Sequence, residues 1–205
     1  MGEKHTQKSW PIAEFIAVDV VCNAPEPTNS LFMHHNIIFI GGIHGVGKGT
    51  ICSKIQKEIG LKHLSASEVL NWSEVSPDPT NKLVKDIPDT QQRLIKGLES
   101  VIEPAQRYIL DGHFCLFDSN GEVNPVPVET FMKISPILLS VVVCDAGIVA
   151  ERLHARDYKK YDALIIEKMQ KTELAHAQLV ADKLNVDLIE VESNPAELID
   201  KINSL

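Results

Sequence analysis

Apolar positions recur along this chain in two rhythms. Ile37–Ile40 is a continuous apolar run, the signature of a strand buried on both faces. Beyond it, Ile51, Ile55 and Ile59 recur at four-residue spacing and Gly60 follows, which predicts a helix with a glycine stop. Four further runs read as strands: Leu61–Leu64, Tyr108–Leu110, Ile137–Cys144 and Val186–Val191. Helical patterns separate them. Asp89-Thr90-Gln91-Gln92 resembles a capping box, Leu94, Ile95, Leu98, Val101 and Ile102 continue on one face, and Pro104 helps to stop the helix. Further helices are expected over Ala146–Arg156 and Ala163–Leu184, with Asn194-Pro195 opening a short last one. Strands alternating with helices predict an α/β domain over residues 36–205: a five-stranded parallel sheet with helices on both faces.

Residues 1–35 follow a different pattern. Phe15–Cys22 reads as one strand, broken by Pro25 and Pro27. The segment is either an extra strand or arm docked on the main domain, or an upstream extension preceding a start at Met33. It lacks the basic start, apolar core and cleavage site of a signal peptide.

Composition narrows the function classes. Among 205 residues, 20 Lys+Arg stand against 28 Asp+Glu, a formal net charge of −8. That balance argues against sequence-independent binding to nucleic acid or to anionic membranes. No apolar run approaches the ~20 residues needed to span a bilayer. The four cysteines, Cys22, Cys52, Cys115 and Cys144, form no CxxC pair. They are expected to be small buried residues of a cytoplasmic protein.

The chemistry begins directly after the first strand. Gly41-Gly42-Ile43-His44-Gly45-Val46-Gly47-Lys48-Gly49-Thr50 sits between strand and helix, the order of a phosphate-binding loop. Gly42, Gly45, Gly47 and Gly49 let the backbone around Val46 wrap closely about phosphate oxygens, and the following helix N-terminus completes an anion site. Lys48, expected to face solvent in the empty loop, supplies positive charge for the β- and γ-phosphates of ATP. Thr50 offers a hydroxyl toward Mg²⁺. The general pattern places that hydroxyl directly after the lysine, where this chain has Gly49. Downstream, Tyr108-Ile109-Leu110-Asp111 puts a carboxylate at the C-terminal end of a buried strand. Open α/β sheets bind ligands there, and Asp111 is expected to hold Mg²⁺ directly or through water.

GGIHGVGKGT, HLSAS, DTQQR, ILDGH and ERLHAR, in this order over roughly residues 36–200, resemble the adenylate kinases and related nucleoside monophosphate kinases. The similarity is greatest to the archaeal-type group and its atypical members. The resemblance implies an acceptor arm at about residues 65–95, with Ser65 beside the acceptor and Arg93 reaching its phosphate. It implies a short lid at about 152–163, with Arg152 and Arg156 closing over the donor. The chain departs from the bacterial and mitochondrial enzymes in two places. No arginine follows the Ser65 segment, and His113-Phe114-Cys115 stands where an arginine is usual.

These features predict a phosphotransferase that moves the γ-phosphoryl group of ATP to a nucleoside monophosphate, AMP first among them. Two alternatives stay open: a P-loop kinase with another small-molecule acceptor, and an ATP-driven switch that grips a protein partner. His113 suits the switch if it orients a water near the γ-phosphate, and is otherwise a core histidine bonded to backbone. His44 is expected only to line the loop entrance. No metal-ligand cluster stands out in the sequence. A homo-oligomer is open as well.

Overall fold

The computed structural model describes residues 36–70, 83–84, 87–118 and 122–205. The strand expected at Phe15–Cys22, residues 71–82 and 85–86 of the acceptor arm expected at about 65–95, and residues 119–121 lie outside the described residues.

Five strands form the main sheet: β1 (Ile37–Gly41), β2 (Lys62–Ser65), β4 (Tyr108–Asp111), β7 (Leu138–Val142) and β8 (Leu188–Val191). Their order is β2-β4-β1-β7-β8 and every pairing is parallel. The sheet is buried on both sides, as its continuous apolar runs require. Ile38, Ile40 and Ile109 face one core, with Ile51 and Ile55 of α1 (Lys48–Ile59) and Leu198 and Ile202 of α7 (Ala196–Ser204). Ile37, Phe39 and Leu110 face the other. There they meet Leu94 and Leu98 of α3 (Ile87–Val101), Phe131 and Ile134 of α4 (Val128–Ile134), and Ala177 and Val180 of α6 (Ala163–Leu184). A short α2 (Ala66–Val69) follows β2, and α5 (Ala146–Asp157) precedes α6.

The fold corrects the sequence reading in one region. The family resemblance implies a loop with a glycine turn and prolines, Ser119-Asn120-Gly121 through Pro127, after the Asp111-Gly112-His113 motif, yet this stretch contributes to a second, three-stranded sheet. There β5 (Cys115–Asp118) pairs antiparallel with β6 (Val123–Pro125) and parallel with β3 (Leu83–Val84). Pro127 then serves as the N-cap of α4, which the sequence reading lacked. Proline needs no N–H at a helix start, so it opens the helix that it appeared to forbid. Likewise α3 begins at Ile87, two residues before the expected Asp89, with Pro88 inside its first turn.

Parallel register stacks the strand ends. Ile40 lies opposite Asp111, Asp111 opposite Ser65, and Gly41 opposite Val141. The loop after β1 and the carboxylate of β4 therefore meet on one edge. Among the described residues no helix is long and apolar enough to cross a membrane.

Candidate functional site

The loop from Gly42 to Gly47 runs from the end of β1 into α1, whose N-cap is Gly47. Two positions show why glycine is needed. Gly42 has φ +139°, and a Cβ there would lie 2.7 Å from the Val142 carbonyl oxygen. Gly45 has φ +79°, and its Cβ would meet the Leu153 side chain at 2.9 Å. Both combine a left-handed backbone with close packing. Gly49 differs: a Cβ there would meet nothing within 4 Å. The protein leaves that side of the helix start open, as a backbone anion site requires.

Lys48 is half-buried rather than facing solvent, which corrects the sequence expectation. Its Nζ donates to the Gly42 carbonyl at 2.6 Å and to the Ile43 carbonyl at 3.2 Å. These carbonyls are its nearest acceptors. Burial lowers its pKa from the ordinary lysine value, while the charges of Glu173 and Asp111 oppose that shift. His113 Nε2 lies 3.3 Å from the same ammonium. Since an ammonium can only donate, that nitrogen accepts. The His113 ring also packs against His44, with centroids 4.3 Å apart. His44 thus belongs to the site's interior edge and is more than an entrance residue.

Asp111 Oδ2 accepts from His63 Nε2 at 2.6 Å, with both side chains largely covered. The Cys52 thiol lies alongside, so that Cys52, His63 and Asp111 present ligand-type atoms within 4.8 Å of one another. The sequence showed no such cluster, because its members come from three elements. Burial raises the Cys52 thiol to about 12, with the Asp111 charge adding to the shift. For Mg²⁺, the Thr50 hydroxyl at the helix start and the Asp111 carboxylate at the end of β4 would each offer oxygen, the donor type this hard cation takes.

Two spaces flank this centre. On the α5 side an open cleft of about 850 Å³ is bounded by Gly47, Thr50, Cys144, Arg152 and Glu192. Arg152 Nη1 donates to the Val46 carbonyl at 3.1 Å and reaches toward that of Gly45 at 3.4 Å. Gln170 fixes the cleft floor by accepting from the Cys144 N–H at 3.0 Å and donating to its carbonyl at 2.7 Å. On the α3 side lies a narrow cavity of about 80 Å³. Phe39, Leu94 and Phe131 make its apolar wall, Ser67, Gln91 and Thr130 contribute polar groups, and His44 and His113 stand at its loop end. The cavity is smaller than the ~300 Å³ usual for a bound small molecule, so it must widen to admit one.

The fold therefore brings Gly42, Gly45, Val46, Gly47, Lys48, Gly49, Thr50, Asp111, His113 and Arg152 around one loop. Three other expected residues lie at the margin of this group: Arg156 shares a pocket lining with Ile43 and His44, and Ser65 pairs with Asp111 across the β2–β4 register. Arg156 is engaged by Asp157 through two contacts of 2.6 and 2.7 Å. Ser65 is bonded to Ser67 at 2.9 Å. Arg93 is half-buried on α3 and is not among the residues lining the cavity, although its neighbours Gln91 and Leu94 are.

Sequence reasoning missed Glu173. It lies on α6, 1% exposed, and accepts from the N–H groups of Gly42 at 3.0 Å, Phe114 at 2.8 Å and Cys115 at 2.7 Å. Burial pushes its pKa up, against the opposing pull of these N–H groups and of Lys48. A signal was available: Glu173 falls in the series Ile166, Met169, Glu173, Ala177, Val180, the buried stripe of the helix. A charged residue on such a stripe has to be satisfied inside the protein.

Comparison with known proteins supplies the family context. A family model described as an AAA domain matches residues 41–170, more than half of the chain. Over 36 residues the chain is 53% identical to UMP-CMP kinase 2 of Caenorhabditis elegans, a match covering 18% of this chain and 19% of that protein. Over 197 residues it is 25% identical to a probable UMP-CMP kinase 2 of Arabidopsis thaliana, covering 91% of this chain and 71% of that one. The first of these matches thus spans only about a fifth of the relative's length. A sugar kinase structure from Janibacter sp. HTCC2649 superposes with a TM-score of 0.51 at 13% identity, covering 83% of this chain and 93% of that chain. At that identity the likeness is one of fold.

Proposed function

Because the chain belongs to the AAA-domain family, whose model spans its phosphate loop, Asp111 and Arg152, we propose that it is a nucleoside monophosphate kinase using ATP and Mg²⁺. The observation that carries this reading is the pair of spaces bordered by one loop. Gly47 and Thr50 line the open cleft, His44 lines the aromatic cavity, and the cavity's His113 lies 3.3 Å from the Lys48 ammonium. In-line transfer of a phosphoryl group needs a donor and an acceptor on opposite sides of one charged centre, held in position. The cleft would take ATP, with its phosphates on the loop N–H groups and Lys48. Arg152 would add charge from above, and Thr50 and Asp111 would hold Mg²⁺, which neutralises charge on the phosphates. The cavity would take the base of the acceptor against Phe39 and Phe131, with Gln91 and Thr130 supplying hydrogen bonds. The relatives are named for UMP and CMP, the sequence motifs point to AMP, and all three are candidate acceptors.

One observation favours a second reading. Among the described residues the cavity lining contains no lysine or arginine; His44 and His113 are its only side chains that can carry positive charge. A histidine whose Nε2 accepts hydrogen bonds beside Lys48 is also placed to orient a water, and the product would then be free phosphate. One assay separates the two. Purified protein is given ATP, Mg²⁺ and, in turn, AMP, UMP and CMP, and the products are resolved. Diphosphate of the added nucleoside, formed mole for mole with ADP, supports the kinase. ADP accompanied only by inorganic phosphate supports hydrolysis.

A further inference from the structure

Glu173 has a role that the phosphate loop alone does not explain. Gly42, the first residue of the loop, is gripped through both of its backbone groups: Lys48 takes its carbonyl, and Glu173 takes its N–H. The other contacts of the same carboxylate lead elsewhere. They reach Phe114 and Cys115, the two residues directly after His113. The Phe114 ring underlies the loop as well, since a Cβ on Gly41 would fall 2.3 Å from it. One buried group thus joins three segments: the loop carrying Lys48, the turn carrying His113, and the middle of α6.

We propose that Glu173 is a positioning residue for the transfer step: its carboxylate locks the start of the phosphate loop and the His113 turn into one frame, so that Lys48 and His113 keep their places when ATP binds. In the structure Lys48 spends its hydrogen bonds on the Gly42 and Ile43 carbonyls. A phosphate that drew Lys48 away from them would free the carbonyl of Gly42. Glu173 is then the remaining tether, holding the N–H side from within the core. Three N–H donors directed at two oxygens suit a carboxylate, and an amide in its place would turn an NH₂ toward at least one of them. An aspartate keeps the charge but is one methylene short of reaching all three donors. The proposal rests on the site being one of phosphoryl transfer, yet part of its test does not depend on the acceptor.

The test compares Glu173→Gln and Glu173→Asp with Ile202→Ala, a core change in α7 remote from the loop. A displacement on the order of 1 Å costs about 100-fold in rate. Glu173→Gln should therefore lower kcat by about that much, while KM for ATP changes less than threefold because the helix-start N–H groups remain. Glu173→Asp should recover part of the loss, and Ile202→Ala should keep kcat within threefold even if it lowers Tm as far. If Glu173→Gln does not fold, Glu173→Asp carries the comparison. Independently of any acceptor, amide exchange at Gly42, Phe114 and Cys115 should quicken together in the Glu173 variant and not in Ile202→Ala. Failure of the wild-type protein to phosphorylate any monophosphate would remove the kinase reading but leave the exchange result to decide on Glu173. An unchanged kcat in a folded Glu173 variant, an equal loss in Ile202→Ala, or unaltered exchange at the three amides would overturn the proposal.

Discussion

The two sides of Lys48 are built in opposite ways. The donor side is backbone chemistry from one continuous stretch, Gly42 to Thr50, with Arg152 laid over it. Its charge and its open face are in place before any ligand arrives. The acceptor side is side-chain chemistry gathered from β1, α2, α3, α4 and the His113 turn, and its cavity is narrow and largely apolar. Phosphate is recognised by a device that tolerates little change, because each N–H must point at an oxygen. On the proposed function, the acceptor would be recognised by shape and a few polar groups, which could vary without disturbing the loop. Substrate choice would then reside in the cavity, and catalytic power in the loop.

The largest effect should come from the loop. Lys48→Ala removes the charge that meets the phosphates as they separate. It should lower transfer at least ~1,000-fold by initial-rate assay, the scale of losing a preorganised charge in a covered site. The change should also leave the fold intact, since it gives up two carbonyl contacts and one to His113, and no packing in the core. A rate within threefold of wild type would mean that the loop is not the donor site. Next is Asp111→Asn, which keeps the size of the side chain and removes its charge. Transfer should fall by about 100-fold and recover partly at raised Mg²⁺, if the carboxylate acts through the metal. An unchanged magnesium dependence would reduce Asp111 to a partner of His63.

Arg93 and His113 sharpen the comparison from the other side. If Arg93 reaches the acceptor phosphate once the cavity widens, Arg93→Ala should raise the acceptor KM about tenfold or more. ATP hydrolysis without acceptor should not change. His113→Ala should show the reverse bias if His113 orients a water, with hydrolysis falling more than transfer. Both would be read from the same ADP and phosphate time courses. Arg93→Ala leaving every acceptor KM untouched would make the described lining of the cavity the whole acceptor site.

The smallest effect concerns stability. Burial holds the Cys52 and Cys115 thiols up at about 12. On unfolding both return to the ordinary thiol range near ~8.5 and lose protons above it. The unfolded chain then binds fewer protons than the folded one, so stability falls as pH rises from about 9 toward 12 and is unaffected by these groups below that window. Thermal melts between pH 8 and 11 should show a falling Tm, with a shallower slope in a Cys52→Ala, Cys115→Ala double variant. An identical slope would show that other groups set the alkaline limit.

The same contrast explains what could be read from the sequence. Strand β1, the loop and α1 are contiguous, so spacing alone reveals them, and α6 was legible to its ends because its apolar stripe is long. The hairpin of β5 and β6 was not, since strands of three or four residues carry too little alternation and Pro125 and Pro127 argued for a loop. Within the site, Lys48 and Asp111 could be found from local motifs. Glu173 lies 131 residues from the Gly42 it holds, and no local pattern links them. His63 stood within a quoted motif, but its partnership with Asp111 exists only through the β2–β4 register. The Arg93 and Arg156 expectations came from family likeness; Arg156 lines a pocket with Ile43 and His44, and Arg93 is half-buried outside the cavity lining.

Binding of a bisubstrate ligand, a polyphosphate with adenosine at one end and the second nucleoside at the other, tests the account most directly. Such a ligand spans both spaces only if they open onto the same charged centre. Titration calorimetry should show it binding at least ~100-fold more tightly than ATP, since the second site is then engaged at high effective concentration. The gain should disappear when Phe131→Ala opens the cavity wall, while ATP affinity stays within threefold. A bisubstrate ligand that binds no tighter than ATP would contradict the claim that donor cleft and acceptor cavity serve one transfer site.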